Sequence, residues 1–276
     1  MIGLVTDSAA DLPTDLARAN GISVVPLEVR LGTDSFRDGD LATEEFFRRV
    51  RTQNIVPKTS QPPVGAFVQV YQELLSKCKS IISIHIASTL SGTYDAANVA
   101  RQSLPGADIS VVDSRSVSLG LGLLVLRAAR AIEKGLAKDA VVRAIEEVKR
   151  RIEVLVALDT LDFLERGGRI GKVAAFLGSL LNLKPLVKVV DGQVLPVTKA
   201  RSRIQALDAL LGRLEAFKEQ GKVLLGVMHT IAAEEAEQLR RRVQDALGLV
   251  EMVVQAGPVL GAHGGPGALA VAVVPE

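Results

Sequence analysis

Aromatic side chains are scarce in this chain of 276 residues, which has no Trp, two Tyr and seven Phe. That scarcity removes the stacking platforms on which single-strand nucleic-acid binders depend. Excess charge of one sign is missing too. The chain has 33 Lys and Arg against 31 Asp and Glu, a formal net charge of +2, so no nucleic-acid partner is expected. Its one cysteine, Cys78, cannot form an internal disulfide, and nothing argues for an oxidising compartment. The three histidines, His85, His229 and His263, are scattered. None pairs with a Glu at helical spacing and there is no Cys–His set, so no metal is expected. No apolar run reaches the ~18–20 residues of a membrane span. The N-terminus enters a strand without a basic, cleavable leader. These absences predict a cytoplasmic protein with at most transient membrane contact.

What the chain does have is aliphatic material. Hydrophobic residues make up 48% and charged residues 23%, ample for a core and incompatible with global disorder. In the first half, short apolar strands at 2–6, 22–29, 80–86 and 109–112 alternate with helical patterns near 13–20, 43–51, 63–79, 94–103 and 119–134. Thr43 reads as an N-cap of the second of these helices. That alternation predicts a Rossmann-like, mainly parallel sheet with helices on both faces. After about residue 151 the pattern changes. A strand at 154–158 and a short helix at 160–165 precede a helix at 173–181. Two strands then flank Asp191-Gly192, the strongest hairpin signal in the sequence. Helices at 204–219 and 232–247 alternate with strands at 223–228, 250–254 and 268–274. The reading is α/β throughout, with a Rossmann-like domain at 1–153 and a second α/β domain at 154–276 whose sheet is mixed or antiparallel.

Three strand-to-helix junctions are rich in hydroxyls: Thr59-Ser60-Gln61-Pro62-Pro63, Ala87-Ser88-Thr89-Leu90-Ser91-Gly92-Thr93, and Asp113-Ser114-Arg115-Ser116-Val117-Ser118. In an open parallel sheet, ligands sit beyond the carboxyl ends of the strands, where helix N-termini present free N–H groups. Hydroxyls plus amides, with few fixed cations, suit a small anion such as a carboxylate. Taken singly, each of these residues is more simply read as a helix cap.

Nucleotide cradles fail on inspection. Gly167-Gly168-Arg169-Ile170-Gly171-Lys172 looks like a Walker A tail, but Arg166 stands where the first Gly is required and Val173 where a magnesium-binding hydroxyl is required. No cofactor is expected. Asp7 and Asp113 end strands and Ser91 precedes a Gly. They leave open an alternative, a small phosphotransferase or hydrolase using strand-end Asp or Ser residues, although no Gly-x-Ser-x-Gly elbow surrounds Ser91. His263 lies between Gly257 and Gly267 in a segment with five glycines, which reads as a loop where backbone approaches a ligand. Basic residues gather from 166 to 203, as a solvated face or as a docking patch for an acidic partner.

In order, Thr6-Asp7-Ser8, Thr59-Ser60-Gln61-Pro62, Ser88-Thr89-Leu90-Ser91-Gly92-Thr93-Tyr94, Asp113-Ser114, Leu164-Glu165-Arg166-Gly167-Gly168-Arg169-Ile170, Lys184-Pro185, Lys199 with Arg201, and Gly261-Ala262-His263 resemble the DegV family. Its better-studied members are the fatty-acid-binding subunits of bacterial fatty acid kinase. The resemblance covers almost the whole chain and departs from the family pattern at Gly264, where relatives usually carry Thr. It implies a non-catalytic carrier that encloses a long-chain, palmitate-like fatty acid between or beneath the two domains. Thr59 and Ser91 would bind the carboxylate with help from His263, and Ser60, Gly92 and Thr93 would supply further contacts. A separate kinase subunit would phosphorylate the acid to an acyl phosphate for phospholipid synthesis, docking at Arg166, Arg169, Lys199 and Arg201.

Overall fold

The computed structural model describes residues 1–176, 183–219 and 221–276. Its frame is a stack of alternating sheets and helices. The first sheet is parallel, with β1 (Ile2–Asp7) between β2 (Ile22–Val25) and β6 (Ser80–His85), and β7 (Ile109–Asp113) at the far edge. β6 is buried at every position, as expected of a strand covered on both faces. Val5, Ile81 and Ile109 on one face pack with Phe67 and Tyr71 of α3 (Val64–Leu75) and Ala97 and Ala100 of α4 (Thr93–Gln102).

The other face of that sheet meets α5 (Leu119–Glu133), whose first eight residues are all buried. Leu4, Ile82 and Ile84 join one cluster with Leu119, Leu121, Leu123 and Leu124, and the same cluster takes in Val154, Val187 and Ala272 of the second sheet. The first half of α5 is thus sandwiched between two sheets, which explains why its first eight residues are apolar all round. Two glycines permit the approach. A methyl at Gly122 would lie 2.5 Å from the Ala10 carbonyl oxygen, and one at Gly120 would lie 2.6 Å from Val154 Cγ2.

The second sheet is mixed. Its order is β10 (Gln193–Ala200), β9 (Lys184–Val190), β8 (Glu153–Ala157), β13 (Leu269–Pro275), β11 (Val223–His229) and β12 (Val250–Gln255). Only the β11–β12 pairing is parallel. Its outer face buries Leu155, Leu225 and Val271 against α8 (Arg203–Leu214) and α9 (Ala233–Leu247). Along β8 the side chains alternate, Val154 toward α5 and Leu155 toward α8, the period of two that a strand imposes. The β9–β10 turn falls at Asp191 and Gly192, with φ of 48° and 73°, as the Asp-Gly pair requires. The α/β class, the parallel first sheet and the mixed second sheet all match the sequence reading.

Several local expectations are corrected. The single strand at 22–29 is two strands in different sheets, because Pro26 lacks an N–H and ends the first ladder. β3 (Glu28–Leu31) instead pairs antiparallel with β4 (Asp34–Arg37) and with β5 (Lys58–Ser60). Thr59 therefore sits on a strand, not in a loop. The N-cap position of α2 (Thr43–Gln53) is Ala42, and the Thr43 hydroxyl donates to the Ala256 carbonyl over 2.9 Å. The glycine-rich segment around His263 contains a helix, α10 (Pro258–Gly264), because Pro258 opens it and Gly261 lets it settle against Phe47. A helix at 138–148, α6 (Lys138–Val148), escaped the sequence reading although Val141, Ile145 and Val148 carry its buried face. Of the helix expected at 173–181, Gly171–Phe176 forms a 3-10 turn, and 177–182 lie outside the described residues.

Candidate head-group site and apolar cavity

Beyond the carboxyl ends of β1 and β6, a cavity opens toward the inner face of the second sheet. Its volume, counted as the space open to the centre of a water molecule, is about 130 Å³. At roughly 10–15 Å³ for each water, that is room for a narrow row of atoms. Most of the wall is aliphatic: Leu27, Ile86, Val154, Val156, Val187 and Val189 are among its members. The polar part of the lining includes Thr59, Ser60, Gln61, Ser91, Arg169 and His263.

Each polar side chain has an identifiable support. Thr59 is held on β5 opposite Val29. Ser91 ends a turn in which the N–H groups of Leu90 and Ser91 both donate to Ala87 O. Its Oγ lies 2.9 Å from Thr93 Oγ1 and accepts from Thr93 N–H at 3.4 Å. His263 projects from the last turn of α10, with Nε2 2.8 Å from Thr59 Oγ1. A methyl at Gly167 would stand 2.3 Å from His263 Nδ1, so this glycine provides the room that the ring occupies. Nδ1 is buried and has no hydrogen-bond partner among the described residues.

Burial lowers the pKa of His263 to about 4, and the charge of Arg169 adds to the effect. The ring is neutral at pH 7 and carries one proton. A proton on Nδ1 would be a buried, orphaned donor, which is rarer and costlier than a bare acceptor. The proton therefore belongs on Nε2, which donates to Thr59 Oγ1 and frees the Thr59 O–H for a ligand. Arg169 closes the rim. Its Nε donates to Leu90 O at 3.1 Å and its Nη1 to Gly167 O at 2.7 Å, joining the Ser91 turn to the glycine beneath His263.

Not every expected residue reaches this end. Thr93 is buried beneath Ser91 and acts on it directly, while Gly92 lines a neighbouring surface depression with Arg169 and Lys172. Arg166 lines a separate groove with Phe47 and Phe163. Lys199 lies over the Phe176 ring, 4.5 Å from its centroid, and Arg201 is exposed. Asp7 is fully buried, with Oδ2 2.9 Å from His85 Nδ1; His85 Nε2 lies 2.6 Å from Ser83 Oγ. That Ser–His–Asp order has the form of a hydrolase triad, but all three groups are sealed from solvent and none lines the cavity. Asp113 accepts from Ser88 Oγ at 2.6 Å and from Arg115 N–H at 2.8 Å, tying two loops together. The described residues contain no group of three or more His, Cys, Asp or Glu able to hold a metal. None of the described helices is long and apolar enough to cross a membrane.

A family model matches residues 1–276, that of the uncharacterised DegV family. The chain belongs to the DegV family. A DegV domain-containing protein of Caldanaerobacter subterraneus is 34% identical over 98% of this chain and 97% of its own length. A DegV family protein from Thermus thermophilus, solved with its fatty acid binding as the subject, superposes with a TM-score of 0.94. It is 38% identical, with 100% of this chain and 99% of that one covered. A stearic-acid-binding protein from Eubacterium ventriosum superposes with a TM-score of 0.93 at 26% identity, covering 100% and 98%.

Two residues of this DegV chain were not legible as site components. Asp11 and Asp38 lie far apart in sequence but converge on the first turn of α10, where Asp11 Oδ1 accepts from Gly257 N–H (3.1 Å) and Asp38 Oδ1 from Val259 N–H (3.2 Å). Asp11 Oδ2 also accepts from Ser118 Oγ at 2.7 Å. Burial raises Asp11 to about 7, against the lowering effect of its Ser118 and Gly257 bonds and with the charges of Asp38 and Asp7 adding to the rise. Burial likewise raises Asp38 to about 6. Both folded values exceed those of an unfolded Asp, so the folded state binds more protons between about pH 4 and 7, and this pair's contribution to stability falls as pH rises. Asp11→Asn, which keeps an acceptor for Gly257 without the charge, should raise Tm by several degrees at pH 8 and by clearly less at pH 5, where only the first part of the loss between about pH 4 and 7 has accumulated. Melting curves of both proteins across that range test this; equal Tm differences at the two pH values would contradict it.

Proposed function

We propose that this chain is a fatty-acid carrier of the DegV family, with the acyl chain in the cavity between units 1–153 and 154–276 and the carboxylate held by Thr59 and Ser91. The observation that carries the reading is a narrow aliphatic cavity whose polar lining includes two hydroxyls, Thr59 positioned by a neutral His263 and Ser91 by Thr93. The fatty-acid binding described for relatives that superpose over the full chain supports it.

The energetics are balanced for reversible carriage. Each buried methylene contributes ~0.8 kcal/mol, so a sixteen-carbon tail gains on the order of 10 kcal/mol before association costs of similar size. The carboxylate loses water and regains charge-assisted hydrogen bonds of roughly 1.5–3 kcal/mol each. His263 gives its Nε2 proton to Thr59, and its unprotonated Nδ1 lies against Gly167. We assign chemistry on the bound acid to a partner, and to this chain the presentation of the acid, in the cytoplasm, to a fatty acid kinase catalytic subunit for acyl phosphate formation. That partner would dock on the basic residues Arg166, Arg169, Lys199 and Arg201.

Delipidated protein titrated with saturated acids of eight to eighteen carbons tests the reading. Affinity should rise about 3–4-fold with each methylene until the cavity is full, then level off. Affinity independent of chain length, or tight binding of Mg-ATP to the chain alone, would favour the phosphotransferase alternative instead.

A further inference from the structure

The hydroxyls of Thr59 and Ser91 do not by themselves fill the acceptor positions of a carboxylate. An ionised carboxylate offers about four lone-pair positions. Thr59 and Ser91 bring one O–H each, and the single proton of His263 goes to Thr59. Two of the five N–H groups of Arg169 are committed to Leu90 O and Gly167 O, which ties the guanidinium to the rim.

Gln61 lines the same cavity. Its side-chain amide lies flat against the backbone of Gly92, the residue after Ser91. A methyl at position 92 would stand 3.1 Å from Gln61 Cδ, 3.2 Å from Nε2 and 3.3 Å from Oε1. Near-equal distances to all three atoms mean that the amide plane faces Gly92, and a methyl there would push the amide away by a few tenths of an ångström. The backbone on either side is fixed, by Ser60 in the β5 ladder and by buried Pro62. Gln61 itself is exposed at the rim, and its amide has no hydrogen-bond partner among the described residues.

We propose that Gln61 is a specificity-determining residue of the head-group site: its Nε2 donates to the carboxylate oxygen that Thr59 and Ser91 leave open, and its amide closes the mouth over Gly92. The inference rests on the fatty-acid reading above. A neutral head group needs this donor less, so Gln61 sets the preference for an ionised acid over an alcohol of the same length. Gln61, two residues beyond Thr59, lines the same cavity because a strand residue and the segment after it bracket the mouth.

The test is competitive displacement of a fluorescent fatty acid at pH 8 by palmitate and by 1-hexadecanol, from wild type, Gln61→Leu and Gln61→Glu, each checked for an unchanged melting curve. Gln61→Leu should weaken palmitate about 10-fold, the effect of one charge-assisted hydrogen bond at a partly exposed site, and leave hexadecanol within about twofold. Gln61→Glu sets a second carboxylate against the ligand's own, so it should weaken palmitate further while hexadecanol still binds. Palmitate affinity within about twofold of wild type in both variants would overturn the role of Gln61. So would equal loss of both ligands, which would make Gln61 a packing residue. Failure of the wild type to bind palmitate at all is a different result, one that removes the fatty-acid reading itself.

Discussion

Thr59→Ala combined with Ser91→Ala is expected to weaken palmitate binding at least 100-fold. The expectation follows from geometry and desolvation together. The carboxylate leaves water for the polar end of the cavity, and each hydroxyl returns a charge-assisted hydrogen bond of roughly 1.5–3 kcal/mol. Losing both leaves the anion short of two partners at the end of a mostly aliphatic cavity, where an unpaired charge is costly. The folded chain loses less. Removing the Thr59 hydroxyl strands His263 Nε2, now 2.8 Å from Thr59 Oγ1, at a cost of about 1–3 kcal/mol. Ser91 loses only its bonds with Thr93. Thr59→Ser keeps the hydroxyl and should keep both the affinity and the His263 contact. Palmitate affinity within threefold of wild type in the double variant, measured on delipidated protein, would show that the carboxylate lies elsewhere.

Gly167→Ala should disturb the site from behind. The Gly167 backbone has φ of −77° and ψ of −9°, which alanine adopts freely, so the effect is steric and not conformational. The added methyl would meet His263 Nδ1 at 2.3 Å, Cε1 at 2.8 Å and the Phe163 carbonyl oxygen at 3.0 Å. Backbone on one side and a buried ring on the other leave His263 to move, and its bond to Thr59 breaks. Palmitate affinity should fall about 10-fold or more and stability by about 1–3 kcal/mol, as for other overpacked positions. The neighbouring glycine separates the two effects. Gly168 has φ of +70° with open space around it, so Gly168→Ala should lower Tm through backbone strain while affinity stays close to wild type. If Gly167→Ala binds as tightly as wild type, His263 does not orient Thr59.

The sequence exposed the parts of this protein that depend on short-range pattern. The buried strand β6, the Asp191-Gly192 turn and the hydroxyl-rich junctions were visible because each is specified within a few residues. The small sheet of β3, β4 and β5 was not. Its strands have three or four residues, too few for alternation to show, and β5 joins the short β3–β4 hairpin from about 30 residues further along the chain. α10 was hidden by the glycines in and after it: Gly261 packs against Phe47, while Gly265 and Gly267, with φ of 75° and 78°, turn the chain beyond the helix. α6 was legible in the spacing of Val141, Ile145 and Val148, a missed period and not an absent signal. Thr59, Ser91 and His263 stand out by residue type and by family resemblance. The roles of Arg169, Gly167 and Gln61 do not, because each depends on segments tens to hundreds of residues away folding against it. The same holds for Asp11 and Asp38, which look like ordinary turn residues until the first turn of α10 is placed between them.

Native mass spectrometry of the freshly purified chain, followed by organic extraction, tests the central claim most directly. The expected result is one long-chain fatty acid bound to each folded chain, recovered as the free acid, and absent from the Thr59→Ala/Ser91→Ala variant prepared in the same way. A folded chain that carries no acid, and that takes up none when palmitate is supplied, would contradict it.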